Sequence, residues 1–217
     1  MPKEYVVLLH GLARTRRSMR TLETALLNAG FGVANQSYAS TSYPIEQLAR
    51  RAISSALALC PDNTRIHFVT HSMGGILVRQ YLKSHTLPNL GRVVMLGPPN
   101  QGSEIVDVLG RMPGFALING PAGLQLGTDK NSVPAELGQI DFECGVIAGT
   151  RTINLLLSRL IPGQNDGKVS VENTKVAGMK DHIVLPVAHP FMMANSAVIR
   201  QVVEFLKHGQ FNHEPYR

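Results

Sequence analysis

Arg65-Ile66-His67-Phe68-Val69 runs straight into Thr70-His71-Ser72-Met73-Gly74-Gly75, which opens Ile76-Leu77-Val78-Arg79-Gln80-Tyr81-Leu82. The first run is apolar and β-branched enough for a strand, and the last is an amphipathic helical run. A strand that passes into a helix through a serine flanked by small residues lifts one hydroxyl clear of the sheet at the tip of a tight turn. Ser72 is thereby the candidate nucleophile. The pattern Gly-x-Ser-x-Gly is complete on its second half, with Gly74 and Gly75. It departs on the first half, where the β-branched Thr70 stands at a point of close strand–helix crossing.

Outward from this turn, Tyr5-Val6-Val7-Leu8-Leu9, Phe31-Gly32-Val33-Ala34-Asn35, Arg92-Val93-Val94-Met95-Leu96, Cys144-Gly145-Val146-Ile147-Ala148 and Ile183-Val184-Leu185-Pro186-Val187 read as further strands. Most are continuous apolar runs, as expected of strands covered on both faces. Helical patterns separate them. Residues 18–29 carry Met19, Leu22, Ala25, Leu26 and Ala29 on one stripe and stop at Gly30, and Pro44 starts a second helix that ends before Pro61. A third helix follows Ser72, and a last one spans about 190–207 and ends at Gly209. Alternating strands and helices predict an α/β fold of three layers, with a mainly parallel sheet of about six strands and right-handed crossovers.

The 217 residues, 44% of them hydrophobic, fit a single domain over 1–217 with a substantial core. One stretch breaks the rhythm. Residues 98–141, rich in Gly and Pro, separate two strands by far more than a normal connection and read as a lid-like or pocket-covering insertion. Within it Ile105, Val108, Leu109, Met112, Phe115, Leu117 and Ile118 are expected over an apolar pocket. The alternative is a segment that merely packs on the sheet edge.

No apolar run approaches the roughly 20 residues of a membrane span, so the chain reads as soluble. The stretch Met1 to Tyr5 enters a strand pattern at once without the features of a secretion signal, which points to a cytoplasmic protein or a trimmed sequence. Cys60 and Cys144 are the only cysteines, and no ligand cluster suggests a metal. Part of the net charge of +6 comes from Arg14, Arg16, Arg17 and Arg20. Without a reading element or interleaved aromatics, nucleic acid is not expected as a partner. The cluster reads as a solvated helix start, or as an attraction to an anionic substrate or a membrane surface.

A serine hydroxyl needs a base, and the base needs an orienting group. His189 directly follows the last strand, in a loop at a carboxyl end, where sites of parallel sheets gather. Its competitor His182 sits at the opposite end of that strand, and His208 and His213 are near the terminus. Asp166, in Gly163-Gln164-Asn165-Asp166-Gly167-Lys168-Val169, is the candidate acid, with Asp181 as rival. Donors for a developing oxyanion are expected from the main-chain N–H of Met73, at a helix N-terminus, and of Leu12, where Gly11 permits a sharp turn. His10 reads as a structural hydrogen-bonding residue more readily than a catalytic one.

With these residues in hand, the chain resembles the α/β-hydrolases, and among them bacterial lipases and carboxylesterases. The resemblance rests on Leu8-Leu9-His10-Gly11, Thr70-His71-Ser72-Met73-Gly74-Gly75, Gly97-Pro98-Pro99-Asn100-Gln101-Gly102-Ser103, Asn165-Asp166-Gly167-Lys168-Val169 and Ala188-His189-Pro190-Phe191-Met192, in that order. It implies a triad of Ser72, Asp166 and His189 and acyl transfer to water through an acyl-serine, with no cofactor and no metal. It also implies that His10, Gly11, His71 and Pro99 border a small acyl ester substrate, and it leaves room for peripheral lipid contact. The same triad serves thioesterases, amidases and acyltransferases, and a hydrolase-fold binding protein is the non-enzymatic alternative. The extra antiparallel strands that usually open this fold are missing ahead of His10, so a compact version is expected.

Overall fold

Six apolar runs pair into one parallel sheet in the computed structural model, which describes residues 2–214; Met1, the head of the stretch read as entering a strand, lies outside them. The strands are β1 (Glu4–Leu9), β2 (Gly32–Asn35), β3 (Arg65–His71), β4 (Leu90–Leu96), β5 (Cys144–Arg151) and β6 (Asp181–Ala188), in the order β2-β1-β3-β4-β5-β6. Every neighbouring pair is parallel, with Leu9 opposite Thr70 and His71 opposite Leu96. The chain steps from β1 outward to β2 and then returns past β1 to β3. That reversal opens a crevice between the carboxyl ends of β1 and β3, the usual place for a ligand in such sheets.

Alternation along each strand divides the core in two. Val7, Leu9, Phe68, Met95 and Val146 point to one face and meet α2 (Ile45–Leu57) and α3 (Met73–Ser84) through Leu48, Ile53, Ile76 and Leu77. Val6, Leu8, Val69, Val94 and Ile147 point to the other and meet α1 (Arg20–Asn28) and the C-terminal helix Ser196–His208 through Leu22, Leu26, Val202 and Phe205. Each such side chain, fully buried, contributes about 1.5–3 kcal/mol. The three-layer α/β architecture is as the sequence predicts.

Between β4 and β5 lie three short helices, α4 (Glu104–Leu109), α5 (Phe115–Leu124) and α6 (Val133–Leu137). Two more, α7 (Leu155–Ser158) and α8 (Val171–Thr174), flank the loop that carries Asp166 between β5 and β6, and the C-terminal helix is α9. The single helix expected over 190–207 is divided. Residues His189–Ala194 form a 3-10 turn led by Pro190, and Asn195 adopts extended backbone and accepts from the N–H groups of Ala197 and Val198, capping α9. Asn favours such a cap because its side chain replaces the missing acceptor of the first helical turn. Among the described residues no helix is long and apolar enough to cross a membrane.

Candidate active site

Ser72 closes β3 and caps α3 in a left-handed backbone conformation, φ 54° and ψ −124°. For a residue with a Cβ this costs about 1–3 kcal/mol and persists only where the surroundings over-determine it. Two contacts do so. The Ser72 N–H donates to Leu96 O at 2.9 Å, prolonging the ladder with β4, and the Gly75 N–H donates back to Ser72 O at 3.0 Å. The helix then runs hard against β1: a Cβ on Gly74 would lie 2.7 Å from the Leu9 carbonyl oxygen. That close crossing is made by Gly74, which is why a β-branched residue is tolerated at Thr70, buried on the sheet. Thr70 is thus compatible with the sharp turn.

The elements on either side of Ser72 bring the other predicted residues to the same end of the sheet. Asp166 is 1% exposed, and its Oδ1 accepts from the N–H groups of Lys168 and Val169, both at 2.9 Å. Its Oδ2 accepts from His189 Nδ1 at 2.7 Å, while the His189 N–H donates to the Asp166 carbonyl at 3.0 Å. A carboxylate opposite Nδ1 puts the ring proton there and leaves Nε2 of His189 with a free lone pair. The rivals lie elsewhere. Asp181 begins β6 at its amino end and accepts from the N–H of Phe211 and from His213 Nε2, and His182 meets Thr174.

Ser72, His189, Gly11, Leu12, His71 and Pro99 all line one cavity of about 400 Å³. Leu12 and Met73 present main-chain N–H groups with no protein acceptor among the described residues. His10, expected to border substrate, does not line the cavity. It is fully buried behind the wall, where Nδ1 donates to Gly11 O, Nε2 accepts from the Tyr38 N–H, and its ring stacks on Tyr38 with centroids 4.0 Å apart. Both ring nitrogens are occupied, so the histidine shapes the loop that carries Leu12.

The insertion supplies the apolar wall. Ile105, Val106, Phe115 and Leu126 line the cavity, together with Asn119. Of the residues expected there, Val108, Met112, Leu117 and Ile118 instead face outward, Leu117 being 90% exposed. Phe115 and Asn119, four apart, share one face of α5, and Leu117 between them is turned away from it. A buried cation braces this segment: Arg79 donates through Nη1 to Asn100 O and Oδ1 and through Nη2 to the carbonyls of Pro134 and Gly138. Burial lowers its pKa to about 10, so it stays charged at neutral pH.

Two residues that the sequence reading names take part in contacts it did not foresee. His71 donates through Nε2 to the carbonyl of His189 at 3.0 Å, tying the Ser72 turn to the loop of His189. Gly97, φ 53°, ends β4 against the Asp–His pair, where a Cβ would lie 2.9 Å from Asp166 Oδ2 and 3.0 Å from His189 Nδ1. A glycine directly after a strand is the signal that was there to use.

Burial, and for His71 also the neighbouring His189, holds the proton affinity of His10 and His71 below the ordinary 6.5. The folded state therefore excludes a proton that the unfolded chain takes up below about pH 6.5. Stability is accordingly full above that pH and falls as the pH drops through it, by up to about 1.4 kcal/mol per pH unit for each of the two. Denaturant titrations at about pH 7.5 and about pH 5.5 check this, and His71→Gln is expected to make the slope shallower by removing the share of His71.

No family model matches the sequence, and no curated protein is similar enough to count as a relative. Solved structures do match. The mature form of the Bacillus licheniformis lipase BlEst2 superposes with a TM-score of 0.69 at 17% identity, over 94% of this chain and 92% of that one. A Paleococcus ferrophilus monoacylglycerol lipase gives 0.61 at 19% identity, over 96% and 95%. The Legionella pneumophila phospholipase PlaB gives 0.65 at 20% identity over 79% of this chain, which spans only 45% of PlaB, as it spans 53% of the propeptide form of BlEst2. At such identities the likeness is one of fold, and the fold of this chain is that of the α/β-hydrolase lipases and esterases.

Proposed function

We propose that this chain is a serine hydrolase of carboxylic esters, a carboxylesterase or lipase that works through an acyl-serine, with Ser72 as nucleophile, His189 as base and Asp166 as the group that orients it. One observation carries the reading: the 2.7 Å contact between Asp166 Oδ2 and His189 Nδ1, which leaves Nε2 free to take a proton in the cavity that Ser72 enters on its strained turn. The steps follow from general chemistry. Ser72 Oγ attacks the ester carbonyl carbon as its proton passes to His189 Nε2, and Asp166 stabilises the imidazolium. The carbonyl oxygen becomes an oxyanion that accepts from the N–H groups of Leu12 and Met73, with the positive end of α3 behind it. Collapse expels the alcohol, protonated by His189, and leaves acyl-Ser72. Water, activated by the same imidazole, then releases the acid and restores the serine.

The test is turnover of p-nitrophenyl esters in a series of acyl lengths. Saturable hydrolysis is expected, best with short and medium chains that the apolar wall of Ile105, Val106, Phe115 and Leu126 can enclose. Folded protein that turns over none of them, at no more than the uncatalysed rate, contradicts the reading.

A further inference from the structure

The cavity has a rim that the acyl-transfer steps leave unused. Arg14 and Lys168 both line it, both are exposed, and no carboxylate is among the residues that line it with them. Among the described residues neither side chain enters an ion pair or a hydrogen bond. They approach from opposite sides of Ser72, since Arg14 follows β1 and Lys168 follows β5, while Ser72 ends β3 between them.

Neither is an idle surface charge on a loose loop. Arg14 comes directly after Ala13, one of three non-glycine residues with positive φ among the described residues, at 53°, and Ser72 is another. The turn is pinned on both sides, by the Ala13 N–H on Ser40 Oγ and the Arg16 N–H on Ser37 Oγ, each at 3.0 Å. The Lys168 backbone is fixed as firmly, its N–H on Asp166 Oδ1 and its carbonyl accepting from Ser103 Oγ at 2.8 Å. The charge of Arg14 also reaches inward, since it is among the influences that disfavour a proton on His71.

The position of the rim selects which part of an ester meets these charges. The acyl chain is matched by the apolar wall of Ile105, Val106, Phe115 and Leu126, so the alcohol part is left for the rim. That part must also lie near His189, which protonates it as it leaves, and Lys168 is two residues from the Asp166 that orients His189. An arginine fork with a lysine point charge opposite it suits a phosphate.

We infer that Arg14 and Lys168 form an anion subsite, and that the substrate is an acyl ester whose alcohol part carries a phosphate group. The anion subsite stands on the rim itself, while the placing of the phosphate on the alcohol part and the turnover arm of the test rest on the ester-hydrolase reading. The test compares a short-chain monoacylglycerol with the same monoacylglycerol phosphate, both below their aggregation concentrations. Binding is measured by calorimetry to Ser72→Ala, and kcat/KM with the unmodified protein. The phosphate ester is expected to bind and turn over about 10-fold or more better at low salt, with the preference shrinking toward physiological salt as rim charges are screened.

In Arg14→Glu/Lys168→Glu that ratio is expected to fall to about 1 or below, and Arg14→Gln/Lys168→Gln, which adds no repulsion, should fall between. Equal binding of the two esters overturns the subsite, as does a ratio unchanged in a folded double variant. So does a preference seen only with aggregated lipid, which points to an anionic surface instead. Preferential binding without any turnover upholds the subsite and overturns the hydrolase reading, so the two failures are distinct.

Discussion

Ser72→Ala is expected to lower kcat on a p-nitrophenyl ester by about 10⁴- to 10⁶-fold, the range seen when the nucleophile of an acyl-transfer triad is removed. The residue left behind still carries a Cβ at φ 54°, so the strain of the turn and the hydrogen bonds of its backbone to Leu96 and Gly75 are unchanged. The loss is therefore one of chemistry and not of folding. Steady-state kinetics beside circular dichroism check it, and a variant within about 10-fold of the unmodified rate contradicts the role given to Ser72.

Asp166→Asn has the second largest expected effect, for a reason that lies in the other oxygen of the carboxylate. Oδ1 accepts from two main-chain donors, Lys168 N–H and Val169 N–H, and only the amide oxygen can take that place. The amide NH₂ must then face His189 Nδ1, which becomes the acceptor, so the ring proton moves to Nε2. His189 in that tautomer cannot receive the proton of Ser72. A fall in kcat of about 10⁴-fold with KM little changed is expected, because the cavity keeps its shape and loses only the base. A rate within about 10-fold of the unmodified protein would show that Asp166 does not set the tautomer.

The layers of the fold were legible because they rest on local patterns. Continuous apolar runs such as 92–96 and 144–148 occur where strands are covered on both faces, and Ser72 between a strand run and two glycines marks a turn that few other contexts need. The juxtaposition of Asp166 with His189 was reachable as an expectation, since both follow strands and the carboxyl ends of parallel strands converge.

What stayed hidden depends on long-range packing. Nothing near His71 in the chain says that its Nε2 meets a carbonyl 118 residues away. Nothing near His10 says that Tyr38 will cover both its ring and one nitrogen and so keep it from the cavity. The insertion resisted most. Its helices are too short for a periodic signal, so which of Phe115, Leu117 and Ile118 turns inward is decided by how α5 rests over the cavity.

The break at Asn195 failed for a different reason. The apolar pattern of Met192, Met193, Val198 and Val202 continues across it, while the cap that divides the helix is one side chain satisfying two N–H groups.

The decisive property of the protein is whether the hydroxyl of Ser72 is activated in the folded state. Labelling with a fluorophosphonate, followed by digestion and mass spectrometry of the peptides, reads this directly. The predicted result is one label per chain on Ser72, absent from Ser72→Ala and slowed strongly in Asp166→Asn. Folded protein that takes no label, or that takes it on Ser103 of the same cavity in place of Ser72, would contradict it.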